Sequence, residues 1–121
     1  MYGKELILDF HNCNVDRFNR ADIERYFIEL CVLIDMERQD LHFWDDVGVP
    51  IEDHQTEPHL KGTSAIQFIS TSNVTLHALE LTGALYINIF SCKDFDAEVA
   101  AVYTKHYFGG TLVNRAEIIR Q

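Results

Sequence analysis

No uninterrupted apolar run in this sequence approaches the ~18 residues that a membrane-spanning helix requires. The opening residues, MYGKELILDFHNC, lack the basic region, apolar stretch and small-residue cleavage site of a secretory leader, so a cytoplasmic protein is expected. Basic side chains are scarce: 10 Lys and Arg stand against 19 Asp and Glu, a formal charge of -9. Such a surface repels phosphate backbones and anionic lipid, which argues against nucleic-acid or membrane partners. It is compatible with a cationic substrate, although acidic surfaces are common without one. The three cysteines, Cys13, Cys31 and Cys92, are odd in number and form no CxxC pair, which excludes a disulfide framework and a structural zinc site from the expectations. There is no P-loop, no GxGxxG and no basic stripe with interleaved aromatics.

What is present is enough apolar material for a core, 47% hydrophobic residues against 24% charged, in a length that fits one domain, residues 1–121. KELILDF alternates, with Leu6, Leu8 and Phe10 on one face, and reads as a strand. Ile23, Tyr26, Phe27, Leu30, Cys31 and Ile34 then fall at helical spacing, with Asn19 as N-cap and Asp22 in the first turn. Cys31 lies on that apolar stripe as a small core residue. A short strand, LHFW at 41–44, ends in Trp44, the one tryptophan, which is assigned to the core. The irregular stretch after it, DDVGVPIEDHQTEPHLKG, carries both prolines and is long for a loop inside a compact domain, so it is either functional or mobile. Its Asp53, His54, Glu57 and His59 are metal-ligand residue types, but without helical spacing they read as a solvated loop, and no metal is expected.

Three strands follow, TSAIQFIS, VTLHALEL and ALYINIFS, the last two separated by the turn signal Thr82-Gly83. A second helix is predicted over 95–107, with Phe95, Val99, Val102, Tyr103 and His106 on one face, Asp94 or Asp96 at its start and Gly109-Gly110 at its end. TLVNRAEII reads as a last strand. The order β-α-β-β-β-β-α-β predicts an α+β fold: a two-layer α/β sandwich, with a mainly antiparallel sheet and two helices on one face. Apolar and aromatic residues on both faces of ALYINIF predict that a second subunit covers the other face, making a homodimer.

In the middle of this strand-rich region, GTSAIQFISTSNVTLH holds a serine five residues before a histidine, and INIFSCKD ends the next apolar run on a cysteine. These segments resemble the small prokaryotic S-adenosylmethionine decarboxylases, which depend on a pyruvoyl group. DFHNC is similar to the end of that family's first strand, aromatic-x-x-Cys. GTSAIQFISTSNVTLH is similar to its G-x-S segment leading to E-S-H-x-x-x-H, and INIFSCKD to its strand ending F-T-C-G. The register runs without a gap from Gly62 to Cys92. The resemblance implies that Ser72 is the pyruvoyl precursor, with self-cleavage between Thr71 and Ser72. It implies that Ser64 and His77 are the processing pair and Cys92 the catalytic acid.

That chemistry accounts for the residue types. A serine hydroxyl can attack its own preceding carbonyl if a base takes its proton and a donor stabilises the oxyanion, roles that fit His77 and Ser64. The pyruvoyl group condenses with a substrate amine and accepts electrons as CO2 leaves, and a thiol such as Cys92 can return a proton. The implied partner is a small-molecule substrate. Two positions depart from the family pattern. Thr71-Ser72-Asn73 stands where Glu-Ser-His is usual, and Ala78-Leu79-Glu80-Leu81 where the family has T-W-P-E, a segment that helps hold adenosine. The aromatic residue that the family often carries shortly before its G-x-S segment is also absent. Three readings therefore remain: an S-adenosylmethionine decarboxylase supplying polyamine synthesis, a pyruvoyl decarboxylase of ornithine or arginine, and an uncut binding or regulatory homologue.

Overall fold

Alternation and helical spacing account for most elements of the computed structural model, which describes residues 1–121. Strand β1 (Gly3–His11) buries Leu6, Leu8 and Phe10 completely on one face and turns Glu5, Ile7 and Asp9 to the other. Each such buried side chain contributes roughly 2 kcal/mol through removal from water. Helix α1 (Arg20–Leu33) starts where Asn19 accepts a hydrogen bond from the Asp22 amide, and its buried stripe is Ile23, Tyr26, Phe27, Leu30 and Cys31.

Strand β2 (Arg38–Trp44) begins earlier than LHFW alone indicates. β3 (Gly62–Ile69), β4 (Ser72–Leu79) and β5 (Ala84–Ser91) form a meander, helix α2 spans Ala97–Phe108, and β6 (Thr111–Arg120) closes the chain. β4 therefore starts at Ser72 rather than at Val74 and stops at Leu79 rather than at Leu81. Gly83, with φ +73°, makes the β4–β5 turn that its sequence signals. All six strands pair antiparallel in the order β2-β3-β4-β5-β1-β6. The two helices pack on one face over Val74, Leu76, Ala78, Ile87 and Ile89, giving the expected two-layer α+β sandwich. No helix is long and apolar enough to cross a membrane.

Two expectations about side chains are overturned. Helix α2 buries Ala97, Ala100, Ala101, Thr104 and Phe108, while Val99 and Val102 are 36% and 47% exposed and His106 lies outside. Small residues win because they let α2 approach α1 closely, where Tyr26 donates to or accepts from Thr104 Oγ1 at 2.7 Å and Thr104 donates to the Ala100 carbonyl at 2.7 Å. A hydropathy reading ranks valine above alanine and so selects the wrong stripe. Trp44 is no core residue either: it is 79% exposed, because β2 is an edge strand and its pairing with Ser64 turns the indole to the face without helices.

The long segment after β2 is tied down rather than loose. Arg20 forms a bidentate pair with Asp45 at 2.7 Å on both bonds, and Asp46 accepts from Lys61 Nζ at 2.9 Å and from the Gln55 amide at 3.2 Å. These partners hold the Asp45 and Asp46 carboxyls below the usual carboxylate range. His54, one of the metal-type residues, spends Nε2 on the Val49 carbonyl at 2.8 Å.

Candidate active site

The face of the sheet that carries no helix displays Ser64 and His77, with their neighbours, in a cross-strand row. Ser64 on β3 pairs with His77 on β4, and His77 pairs with Tyr86 on β5. Directly opposed residues on an antiparallel pair share a face, and here the side chains meet: Ser64 Oγ lies 2.7 Å from His77 Nδ1. Nδ1 is thus occupied by the serine, which leaves Nε2 to exchange a proton with a reacting group. Gly62 permits this row. A Cβ there would sit 1.9 Å from the Ala78 carbonyl oxygen, so any other residue would push β3 off β4 two positions before Ser64.

The same row extends to residues that spacing does not single out. Trp44 pairs with Ser64 at one side, and at the other Tyr86 lies with its ring centroid 6.3 Å from that of His77. Their only sequence signal is register across strands far apart in the chain, which becomes readable once the pairing is known. Glu80 lies elsewhere, lining a cavity of about 490 Å³ with Arg20, Asp45, Asp46 and His54; the Lys61 pKa is raised chiefly by its hydrogen bond to Asp46, with a lesser attraction from Glu80. Leu79 is buried and Leu81 is 59% exposed. β4 pairs regularly up to Leu79, and the chain then turns with a leucine rather than an acid at position 81.

Ser72, Thr71 and Cys92 form a second group. Ser72 opens β4 opposite Ser91, and the Cys92 amide donates to the Thr71 carbonyl at 3.0 Å. That carbonyl is the one a Ser72 hydroxyl would attack. Ser72 Oγ accepts from Asn73 Nδ2 at 3.1 Å, and the Ser72 backbone has φ +155°, a value L residues seldom adopt. Thr71 Oγ1 is joined to Ser91 Oγ at 2.7 Å. Of the three thiols, Cys13 and Cys31 are pushed up to about 11 by burial, which makes them poor proton donors near neutrality, whereas Cys92 is exposed beside Thr71.

Within one chain the two groups are apart. Ser72 and His77 occupy the same strand, not neighbouring ones, and five residues at about 3.3 Å each separate them by roughly 16 Å. The expectation that His77 reaches Ser72 directly therefore does not hold inside a single subunit.

Comparison with known proteins identifies relatives of this arrangement. Residues 4–121 match the sequence model of a family described as S-adenosylmethionine decarboxylase. An S-adenosylmethionine decarboxylase proenzyme of Bacillus velezensis is 28% identical over 102 residues, 84% of this chain and 71% of that one. One from Geobacillus kaustophilus is 25% identical over 119 residues, 98% of this chain and 86% of its own. Among solved structures, the adenosylmethionine decarboxylase of Aquifex aeolicus superposes with a TM-score of 0.69 over 97% of this chain and 87% of that one, at 15% identity, a likeness of fold.

Proposed function

The chain belongs to the S-adenosylmethionine decarboxylase family, and on that premise we propose that it is a proenzyme that cuts itself between Thr71 and Ser72, converts Ser72 to a pyruvoyl group and decarboxylates S-adenosylmethionine for polyamine synthesis. The observation that carries this reading is the hydrogen bond from the Cys92 amide to the Thr71 carbonyl at 3.0 Å, with the Ser72 hydroxyl in the next residue.

The peptide-bond chemistry follows from these groups. Ser72 Oγ adds to the Thr71 carbonyl carbon as its proton leaves for a base, and the Cys92 N–H already points at the oxygen that gains charge. Collapse breaks the C–N bond, the nitrogen takes up a proton, and an ester joins Thr71 to the Ser72 side chain. Loss of the Ser72 α-proton with the Cβ–Oγ bond then releases Thr71 as a carboxylate and leaves a dehydroalanine at 72. Water replaces its nitrogen as ammonia, and the new N-terminus is a pyruvoyl group. The donor set fits that group: the register holds position 72 beside Ser91, and Cys92, whose thiol is exposed, follows as the next residue. When formed, the group supplies an electron sink for decarboxylation. Cys92 is the residue of this chain that returns the proton.

His77 and Ser64 enter this chemistry through a second copy. The helix-free face exposes Ile66, Phe68 and Tyr86 at 40%, 43% and 37%, apolar surface that pairing would remove from water. A two-fold axis passing near Thr75, midway between Ser72 and His77, exchanges the two ends of β4. It sets each Ser72–Cys92 group against the other copy's Ser64–His77 pair, so the homodimer makes two complete centres from four halves. Trp44 brings the broad aromatic surface that Leu79 lacks, and its place in the Ser64 row suits a face for adenine.

Intact mass of freshly purified chain under denaturing conditions tests the reading. Two fragments are expected, 1–71 and 72–121, the second lighter than encoded by the difference between an N-terminal serine and a pyruvoyl group. A Ser72→Ala chain stays whole. A wild-type chain that remains a single 14.0 kDa species on long incubation would overturn the proposal and leave the binding-protein reading in its place.

A further inference from the structure

Thr71 is held by more than its carbonyl, and its second tether runs through its side chain. Ser91 is fully buried at the end of β5, an unusual place for a lone hydroxyl unless it is satisfied. Its Oγ accepts from the Lys93 amide at 3.0 Å and lies 2.7 Å from Thr71 Oγ1. Both hydroxyls also approach the Met36 thioether, Thr71 Oγ1 at 3.4 Å and Ser91 Oγ at 3.7 Å. A thioether accepts weakly and donates nothing. If Ser91 donates, the chain runs from the Lys93 amide through Ser91 and Thr71 to the Met36 sulfur; if Thr71 donates, Ser91 accepts from both and itself donates to the sulfur. Both hydroxyl protons find an acceptor in either direction.

Thr71 is thereby fastened to the end of β5 twice, through its carbonyl oxygen to the Cys92 amide and through its side chain to Ser91. One bond alone leaves the 71–72 peptide free to rotate about the line joining donor and acceptor. Two bonds to successive residues fix the plane of the carbonyl, and with it the face that Ser72 Oγ must approach. We propose that Ser91, acting through the Thr71 hydroxyl, is a positioning residue for self-cleavage. The proposal rests on the processing reading above. It also gives the threonine at 71 a role: its β-hydroxyl supplies the anchor.

The test is the rate at which uncut chain converts to fragments, followed by intact mass from a rapidly purified or freshly translated precursor. Thr71→Val keeps the β-branch and removes the hydroxyl; Ser91→Ala removes the other partner. Each is expected to slow cleavage about tenfold, the consequence of losing one part-buried hydrogen bond that orients the carbonyl. The double variant should be no slower than the slower single one, because the two share a single interaction. Ser91→Thr, which retains the hydroxyl, should cleave within about twofold of wild type. Thermal unfolding of each precursor separates a loss of fold from a loss of position. Should Ser91→Ala fail to fold, Thr71→Val and Ser91→Thr still decide the matter from the two ends of the same bond. Cleavage at the wild-type rate in Thr71→Val, or slowing that multiplies in the double variant, overturns the positioning role while leaving self-processing intact. An uncut wild type removes the processing reading, and this one with it.

Discussion

The two ends of strand β4 carry different kinds of chemistry. At the Ser72 end the groups that matter are largely main chain: the Thr71 carbonyl, the Cys92 amide and a serine whose own backbone is bent out of the ordinary strand conformation. At the His77 end they are side chains displayed from regular strand, with Ser64, His77, Tyr86 and Trp44 in register across four strands. The difference shows how labour is divided in a site built on a sheet. Regular pairing suits groups that must be presented, since it fixes Cβ positions at known spacing. A strand end suits the group that must react, since a peptide bond inside a ladder cannot move without breaking its neighbours' hydrogen bonds.

The largest effect is expected when the two ends of β4 are disabled on different chains. Ser72→Ala and His77→Ala should each abolish cleavage when expressed alone. Co-expressed in equal amounts they should yield roughly a quarter of all chains cleaved, since half of two-fold dimers are mixed and each mixed dimer holds one complete centre. Every cut chain should be the His77→Ala one, as its mass reveals. Cleavage of neither chain would overturn the centre shared between two copies, and cleavage of His77→Ala expressed alone would place His77 outside it.

A smaller expected effect distinguishes reactions within the Ser72 end. Cys92→Ala retains the amide that faces the Thr71 carbonyl, so fragments should still appear, while decarboxylation by the processed protein falls by ~100-fold or more for want of a proton donor. Loss of cleavage together with turnover would mean that the thiol, and not only the amide, serves the first step.

The least effect belongs to the far side of the His77 row. Trp44→Ala should raise KM for S-adenosylmethionine about tenfold, with kcat little changed, as expected of a stacking surface that holds ground state and transition state alike. Intact-mass cleavage should be unaffected. An unchanged KM would move the adenosine away from β2.

The particular successes and failures of the sequence reading have physical causes. Leu6, Leu8 and Phe10 were legible as a buried face because a strand's period is two and β1 is buried on one side. The Asn19 cap, the Gly83 turn and the stop at Gly109 were legible because each depends on the backbone needs of one or two residues. The stripe on α2 was not, because it depends on how closely a second helix approaches, and alanine's advantage there is its smallness rather than its hydropathy. Trp44 was misassigned for a related reason: an aromatic side chain at a strand end says nothing about which strand is at the edge. In the candidate site, the family resemblance singles out Ser64, Ser72, His77 and Cys92, but Tyr86 and the Thr71–Ser91 bond emerge only from strand pairing.

By itself, then, the sequence determined most elements and their order, since local spacing is a property of the chain alone, and its resemblance to a family named the candidate reacting groups. The pairing of strands decided the rest. It brought Ser64 within a hydrogen bond of His77 across the β3–β4 ladder, set the Cys92 amide on the Thr71 carbonyl, and kept those two groups about five strand residues apart. Register and sheet order arise from long-range contacts, and a residue's distance along the chain carries little information about which partner it meets across a sheet.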